Sequence, residues 1–332
     1  MNELPNQPTV DANLAELGVS RAQLPLNVVP FSSGSLLSQL PSPPPGKVGW
    51  PWTVESSPPK SKGPWPRITI VTPSYQQGPF LEQALRSVLL QNYPCLEFIV
   101  LDGGSNDESA AIIEKYRPWL SFSRSARDGG HGHAINLGFS LSTGDLQGWL
   151  NSDDFYLPDA FAKLADASVS GDDFYYGDCF VWHDNPQRCI YQLAPWVTSR
   201  YLRFGGLIYS HSAFWRRVVH VPIWEAMRCN VDGELWQRLI PGKRLRYIPA
   251  PLGTVRIQPN AKTIHSRFLE DWRHDDKLIW GIHGRPPGPR SPVRYEYRTV
   301  QQCFKFLRRS RGRAEANETL AACAWDVSLE TP

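Results

Sequence analysis

Arg67-Ile68-Thr69-Ile70-Val71-Thr72-Pro73-Ser74-Tyr75 is the stretch from which the rest of the chain can be read. Its β-branched run predicts a buried strand that ends at Pro73 and passes into a polar loop. Gly78-Pro79 then opens a predicted helix, because proline is tolerated in a first helical turn. In that helix Phe80, Leu81, Ala84, Leu85, Val88 and Leu89 recur at helical spacing, leaving Glu82, Gln83 and Arg86 on the other face.

The alternation repeats downstream. A strand over 96–101 ends in Asp102-Gly103-Gly104-Ser105-Asn106-Asp107, where Ser105 and Glu108 have the capping-box spacing and Ile112, Ile113 and Tyr116 continue an apolar helical side. A third strand over 120–125, a helix over 133–141 and a fourth strand over 145–150 complete the block. Strands alternating with helices of this length predict a mainly parallel sheet with helices on both faces. Such sheets bind ligands at the carboxyl ends of their strands. The loops at 73–77, 102–107, 127–133 and 151–154 are all polar, and three contain aspartates. Carboxylates gathered on one edge repel unless a cation or a donor intervenes, which points to a site.

Composition narrows the classes. The 332 residues are 41% hydrophobic and 20% charged, enough for a sizeable core. A net charge of +3 is too small for a nucleic-acid binder, so no nucleic-acid partner is expected. The six cysteines form no C-x-x-C pair and predict neither a disulfide framework nor a zinc site. Residues 1–10 lack the basic stretch and apolar core of a signal peptide, and no apolar run is long enough to span a bilayer. The expected location is cytoplasmic, with peripheral contact at the inner face of the membrane left open.

Several stretches in fixed order resemble the family 2 glycosyltransferases over about residues 67–260. They are Ile70-Val71-Thr72-Pro73-Ser74-Tyr75, Arg86-Ser87-Val88-Leu89-Leu90-Gln91-Asn92-Tyr93-Pro94, Asp102-Gly103-Gly104-Ser105-Asn106-Asp107, Ala134-Ile135-Asn136-Leu137-Gly138-Phe139, Thr143-Gly144-Asp145 and Trp149-Leu150-Asn151-Ser152-Asp153-Asp154. The resemblance implies a GT-A fold, a Rossmann-like, mixed but mainly parallel sheet flanked by helices. It also implies an inverting transfer of a sugar from a nucleotide-diphosphate sugar, with a UDP-sugar favoured, to a saccharide or lipid-linked saccharide acceptor in polysaccharide, lipopolysaccharide or other glycoconjugate assembly. By the same analogy Pro73, Ser74 and Tyr75 contact base and ribose, and Asp102 accepts a hydrogen bond from the base, with Gly103 and Ser105 in the same loop. An acceptor-only carboxylate and an aromatic ring suit a pyrimidine edge and face.

Asn151-Ser152-Asp153-Asp154 resembles the family's Asp-x-Asp motif. Asp153 and Asp154 can hold a hard divalent ion, Mn²⁺ or Mg²⁺, between protein oxygens and substrate phosphates, with Ser152 and Asp153 also on the donor. Asp128-Gly129-Gly130-His131-Gly132-His133 carries His131 where the family has Gln, and Asp128 and Asn136 are expected to frame the sugar and diphosphate. The two histidines read as hydrogen-bonding groups rather than a metal pair, since no third ligand is near. Asn230-Val231-Asp232-Gly233-Glu234-Leu235-Trp236 resembles the acceptor-side helix, which makes Asp232 the general base and Glu234 an auxiliary group. Gln258 stands where the family commonly has a histidine that completes the metal site.

Gln258 and Gly233-Glu234 also motivate a second reading, a sugar-nucleotide-binding module without turnover. A nicotinamide oxidoreductase is disfavoured by the missing glycine fingerprint.

The ends differ from this block. Thirteen of the 30 prolines lie in residues 1–66, an arm whose first part, 1–45, is expected to be mobile. Trp50, Trp52 and Trp65 predict that 46–66 is docked on the catalytic domain at 67–284, of which 67–155 is the nucleotide-binding half and 156–284 the acceptor side. Residues 285–332 are a basic, partly helical extension. Nine Lys or Arg against one Glu lie in 285–313, and Val300, Cys303, Phe304 and Leu307 form a predicted apolar stripe. Two readings stay open for 298–313, a helix on anionic lipid or one docked on the domain by that stripe.

Overall fold

The computed structural model describes residues 8–31, 35–58, 65–184, 187–258, 261–262, 265–286, 288 and 292–330. Helix α1 (Val10–Leu17) is followed by β1 (Ile68–Ser74), α2 (Gly78–Leu89), β2 (Leu96–Asp102), α3 (Ser109–Tyr116), β3 (Phe122–Ser125), α4 (His131–Leu141) and β4 (Leu146–Trp149). Next come β5 (Phe155–Tyr156), α5 (Ala160–Ser168), β6 (Phe174–Asp184), β7 (Gln187–Gln192), α6 (Ser199–Arg203), β8 (Ala213–Arg216) and α7 (Val231–Leu239). β9 (Leu245–Ile257), α8 (Leu269–His283), α9 (Pro292–Cys323) and β10 (Leu329–Glu330) complete the described chain.

β1 pairs in parallel with β2 on one side and β4 on the other, and β2 carries β3 on its far edge. The chain winds outward from β1 to β3 and then returns to the other side of β1, so its direction reverses between β1 and β4. The crevice at the carboxyl ends of those two strands is where an open α/β sheet holds its ligand. Beyond β4 the pairing becomes antiparallel through β8 to β6, and the long β9 runs parallel to β6 while taking β5 antiparallel. β7 and β10 extend the sheet past β6.

Two local departures from the sequence-based expectation have plain causes. β1 runs through Pro73 because β4 pairs only with residues 68–71, so the missing amide falls where there is no neighbour to receive it. α4 begins at His131, directly after Gly130, whose φ of 104° favours glycine; both histidines therefore sit in the first helical turn. The capping-box reading of Ser105 and Glu108 is corrected. The Ser105 hydroxyl donates to Asp102 and accepts from the Gln76 amide, while Asp107 accepts from the Gly78 and Ser109 amides.

Apolar side chains cover both faces of the sheet. On one face Leu81, Leu85 and Val88 of α2 meet Ile70, Phe98 and Phe161. On the other, Ile135 of α4 joins Val71 and Ile99 with a tryptophan cluster, in which Trp149 stacks on Trp236 at 5.5 Å and meets Trp215 edge-on at 5.7 Å. Stacked and edge-on pairs add to the area they bury, and through them α7 is seated against the end of β4.

The arm is built into this core. Trp50 is fully buried; its indole Nε1 donates to the Tyr156 carbonyl at 2.7 Å, and its amide donates to the Cys323 carbonyl at 2.7 Å. Arg86, also buried, donates to the carbonyls of Pro41, Pro51 and Trp52 and to the Tyr116 hydroxyl. The described part of residues 1–45 also packs on the domain. Thr9 and Gly18 cap α1, Leu14 and Leu17 are buried in the core beside α4, and Asn13 Nδ2 donates to Ser140 Oγ at 2.8 Å. Residues 1–7, 32–34 and 59–64 lie outside the described residues.

α9 turns a different face inward from the predicted stripe. Gln301, Gly312, Ala316, Thr319 and Cys323 are buried, whereas Val300, Cys303 and Leu307 are exposed. Polar anchoring decides the rotation. Arg308 stacks over the Tyr247 ring beside the buried Asp178, and a Cβ at position 312 would run into the Tyr191 hydroxyl that donates to Asp178, so glycine there eases the approach.

Candidate active site

The ends of β1, β2 and β4 and the first turn of α4 converge at the crevice. Gly103 marks how closely: a Cβ placed there would lie 3.3 Å from both Tyr75 Cδ2 and Asp128 Oδ2. The loops after β1 and β2 and the loop before α4 thus share one wall. Tyr75 is 62% exposed, a ring free to cover a planar ligand. Pro73 and Ser74 are buried in the strand end beside it, and the Ser74 hydroxyl has no partner among the described residues.

Asp102 is 2% exposed, and its carboxylate accepts from the Ser105 amide and hydroxyl and the Ser125 hydroxyl. Three internal donors fix its orientation and leave about one of a carboxylate's four lone-pair sites for a ligand. Asp128 accepts from the Gly130 amide at 2.7 Å, and burial raises its pKa. Asn136 departs from its expected role on the donor. Its amide is spent on residues of the 222–225 segment, donating to Ile223 O and Glu225 Oε1 and accepting from Ile223 N.

The two histidines of α4 go separate ways. His131 Nε2 lies 3.0 Å from Asn151 Oδ1, and burial, with the nearby Lys262 charge, lowers its pKa to about 4, so the ring is neutral at pH 7 and ties α4 to the acidic motif. His133 lies between Glu225 and Glu16 of α1. Burial alone would lower its pKa, but these two partners outweigh it and raise the value.

The acidic motif follows β4 and is held from β9. Arg256 Nε donates to the Asp153 carbonyl, its amide donates to Asp154 Oδ1 at 2.9 Å, and its guanidinium also pairs with Asp184 and Gln83. Gln258 Nε2 donates to Asp153 Oδ2 at 2.9 Å. Ser152, immediately before Asp153, is buried at 3% exposure, while Asp154 also receives Asn151 Nδ2 at 3.3 Å. Burial, then the adjacent charge of Asp154, pushes Asp153 up to about 6. Among the described residues no group of three or more His, Cys, Asp or Glu is gathered for a metal. What is present, two adjacent carboxylates that feel each other's charge with the amide oxygen of Gln258 left over, is a hard-oxygen donor set whose mutual repulsion a divalent cation would relieve.

Asp232 sits in the first turn of α7, with Oδ1 accepting from the Gly233 amide at 2.9 Å. Burial pushes it up to about 6; the same Gly233 amide and the His211 ring oppose the rise, and Asp154 adds to it. Asp232 therefore shares its electrostatic surroundings with the acidic motif. Glu234 is committed elsewhere: its carboxylate forms a bidentate pair with Arg238 and lies 3.6 Å from His283.

Two residues without an assigned role in the sequence reading belong to this centre. His211 is 1% exposed, its Nδ1 is 3.7 Å from Asp154 Oδ2, and its Nε2 has no partner among the described residues. It lies in the irregular stretch before β8, where no periodicity marks it. Arg256, two residues before Gln258 on β9, acts as the clamp on the motif's backbone.

Fold and crevice together define a GT-A type α/β protein with its acidic motif at the switch of winding. Residues 69–236 match the family described as Glycosyl transferase family 2, and the chain belongs to that family. Two relatives are uncharacterized glycosyltransferases. One from Mycobacterium tuberculosis is 37% identical over 89 residues, 26% of this chain and 34% of its own length. One from Nostoc is 28% identical over 101 residues, 28% of this chain and 30% of its own. The match thus spans about a third of the length of these curated relatives. Among solved structures, S. aureus TarS residues 1–349 in complex with UDP-GlcNAc superposes with a TM-score of 0.51 at 17% identity, over 64% of this chain and 66% of that one. The longer S. aureus TarS gives 0.50 at 17%, over 64% and 39%. At that identity the likeness speaks to the fold.

Proposed function

We propose that the protein transfers a sugar from a nucleotide-diphosphate sugar to an acceptor hydroxyl with inversion, Asp232 being the general base. The observation that carries the reading is a buried carboxylate on α7, raised to about 6, that feels the charge of Asp154 in the acidic motif at the sheet's switch point. The UDP-GlcNAc bound to TarS supports a nucleotide-sugar donor, and glycoconjugate assembly is the expected setting.

Tyr75 covers the base, and Asp102, oriented by Ser105 and Ser125, takes one hydrogen bond from it. Asp128 borders the same wall. Asp153 and Asp154, with the Gln258 amide oxygen, would hold Mn²⁺ or Mg²⁺, which supplies charge neutralisation for the departing diphosphate. Arg256 and Asn151 keep that motif in place. Asp232 accepts the proton of the acceptor hydroxyl as its oxygen attacks the anomeric carbon; a desolvated carboxylate is the stronger base. His211, between Asp154 and Asp232 electrostatically, has an unspent ring nitrogen for the substrate.

The test is nucleoside diphosphate release across a panel of nucleotide sugars with Mn²⁺ and Mg²⁺. Release that depends on an acceptor and is abolished by chelator supports the reading; nucleotide binding with no product across the panel favours the non-catalytic module. The base must be ionised, so kcat/KM is expected to rise with pH through about 6 and level off above it, and a profile falling over that range contradicts the role of Asp232. Tyr75→Ala is expected to raise the donor KM roughly 5- to 150-fold, the worth of one aromatic stack at about 1–3 kcal/mol, with kcat little changed. An unchanged KM removes the stacking role.

A further inference from the structure

Between residues 192–209 and α9 lies a cleft of about 550 Å³, within the range of sites that enclose small ligands. Arg294, Arg298 and Lys305 of α9 line it, and none of its described lining residues is acidic. Asp178, whose charge Lys305 senses, is already satisfied by the hydroxyls of Tyr191 and Tyr247 and the amide of Ala194, with Arg308 beside it. The charges lining the cleft are therefore all positive, and Arg308 offsets the Asp178 carboxylate behind it. Four aromatic residues, Tyr201, Phe204, Tyr209 and Tyr297, form part of the wall among small, aliphatic and amide side chains. Rings of this kind pack against the apolar faces of sugars while cations hold an anionic substituent.

The cleft adjoins the donor crevice. Ile208 in its wall accepts a hydrogen bond from Trp236 Nε1 at 3.0 Å, on the helix that carries Asp232. Tyr209 stacks on His211 at 5.3 Å, and His211 reaches Asp154.

We propose that this cleft binds the acceptor, and that the acceptor is a saccharide carrying an anionic substituent, phosphate or carboxylate, held by Arg298 and Lys305. Its being the acceptor rests on the transferase reading above; its being an anionic saccharide rests on the cleft alone. An arginine fork can take two oxygens of a phosphate or carboxylate at once, and the lysine adds a point charge.

The probes are glucose 6-phosphate, glucuronic acid and methyl glucoside, titrated by ligand-observed NMR onto the full chain with and without UDP. At least one charged probe is expected to bind about tenfold or more tightly than the neutral glycoside, with affinity falling as salt is added. Preference between the two charged probes identifies the substituent. Arg298→Gln and Lys305→Gln, both on the helix surface, are each expected to weaken that binding about tenfold and leave UDP binding unchanged, with circular dichroism confirming the fold. Equal affinity for the neutral glycoside, or charged-probe binding that survives the double variant, overturns the proposal. If charged probes bind as expected while no nucleotide sugar is turned over, the anionic-saccharide cleft stands and the transferase reading falls. If turnover proceeds and charged and neutral acceptors serve equally, the cleft proposal falls alone.

Discussion

Asp232→Asn is expected to lower kcat about 10²- to 10⁴-fold, the range that a positioned general base contributes, while nucleotide-sugar affinity stays within a few fold. The substitution keeps the side chain's shape and an oxygen for the Gly233 amide, which Asp232 Oδ1 now receives at 2.9 Å. It removes the negative charge and with it the ability to take a proton. Because α7 is seated through Trp236 on Trp149 rather than through Asp232, the helix is expected to stay in place. Calorimetric nucleotide binding and steady-state transfer on the same preparation separate the two effects. Transfer at the parental rate would assign the base elsewhere, and lost nucleotide binding would make Asp232 a donor contact.

Trp50→Ala is expected to cost about 3–5 kcal/mol, the usual loss for truncating a fully buried aromatic. It also strands the Tyr156 carbonyl, which accepts from the indole at 2.7 Å; an unsatisfied buried acceptor costs about 1–3 kcal/mol. These terms overlap and are not simply additive. The effect should reach the site, since Tyr156 stands two residues past Asp154 and β5 pairs with β9, the strand that carries Arg256. Urea unfolding monitored by tryptophan fluorescence, together with the donor KM, checks both parts. Trp50→Phe, which keeps most of the packing but not the donor, should lose about 1–3 kcal/mol, less than the alanine variant. An unchanged midpoint in Trp50→Ala would mean that the arm does not stabilise the domain.

The alternating strands and helices of residues 67–150 were legible because each element is buried on a regular face: Leu81, Leu85 and Val88 repeat at helical spacing, and Ile68 to Val71 form one apolar run. The position of the acidic motif was legible as well, since two adjacent carboxylates after such a strand bring like charges to the sheet's ligand edge. His211 was not, because it is placed by tertiary pairing of β8 with β4 and β6 and not by any local pattern. Asn136 has the expected residue type, yet its amide is spent on Ile223 and Glu225, partners 87 and 89 positions away that spacing does not reveal. α9 was misread in rotation for a related reason. Counting apolar residues favours Val300 and Leu307, whereas the helix is set by Arg308 on Tyr247 and by the glycine at 312 that admits Tyr191. The arm's helix α1 rests on only two buried leucines, too few for periodicity to announce it in a proline-rich setting.

The most direct measurement is the anomeric configuration of the product, followed by proton NMR from the first turnovers with the nucleotide sugar that the panel identifies. A single displacement with Asp232 as base predicts a newly formed linkage of the opposite configuration to the donor's. A product that keeps the donor's configuration would contradict it.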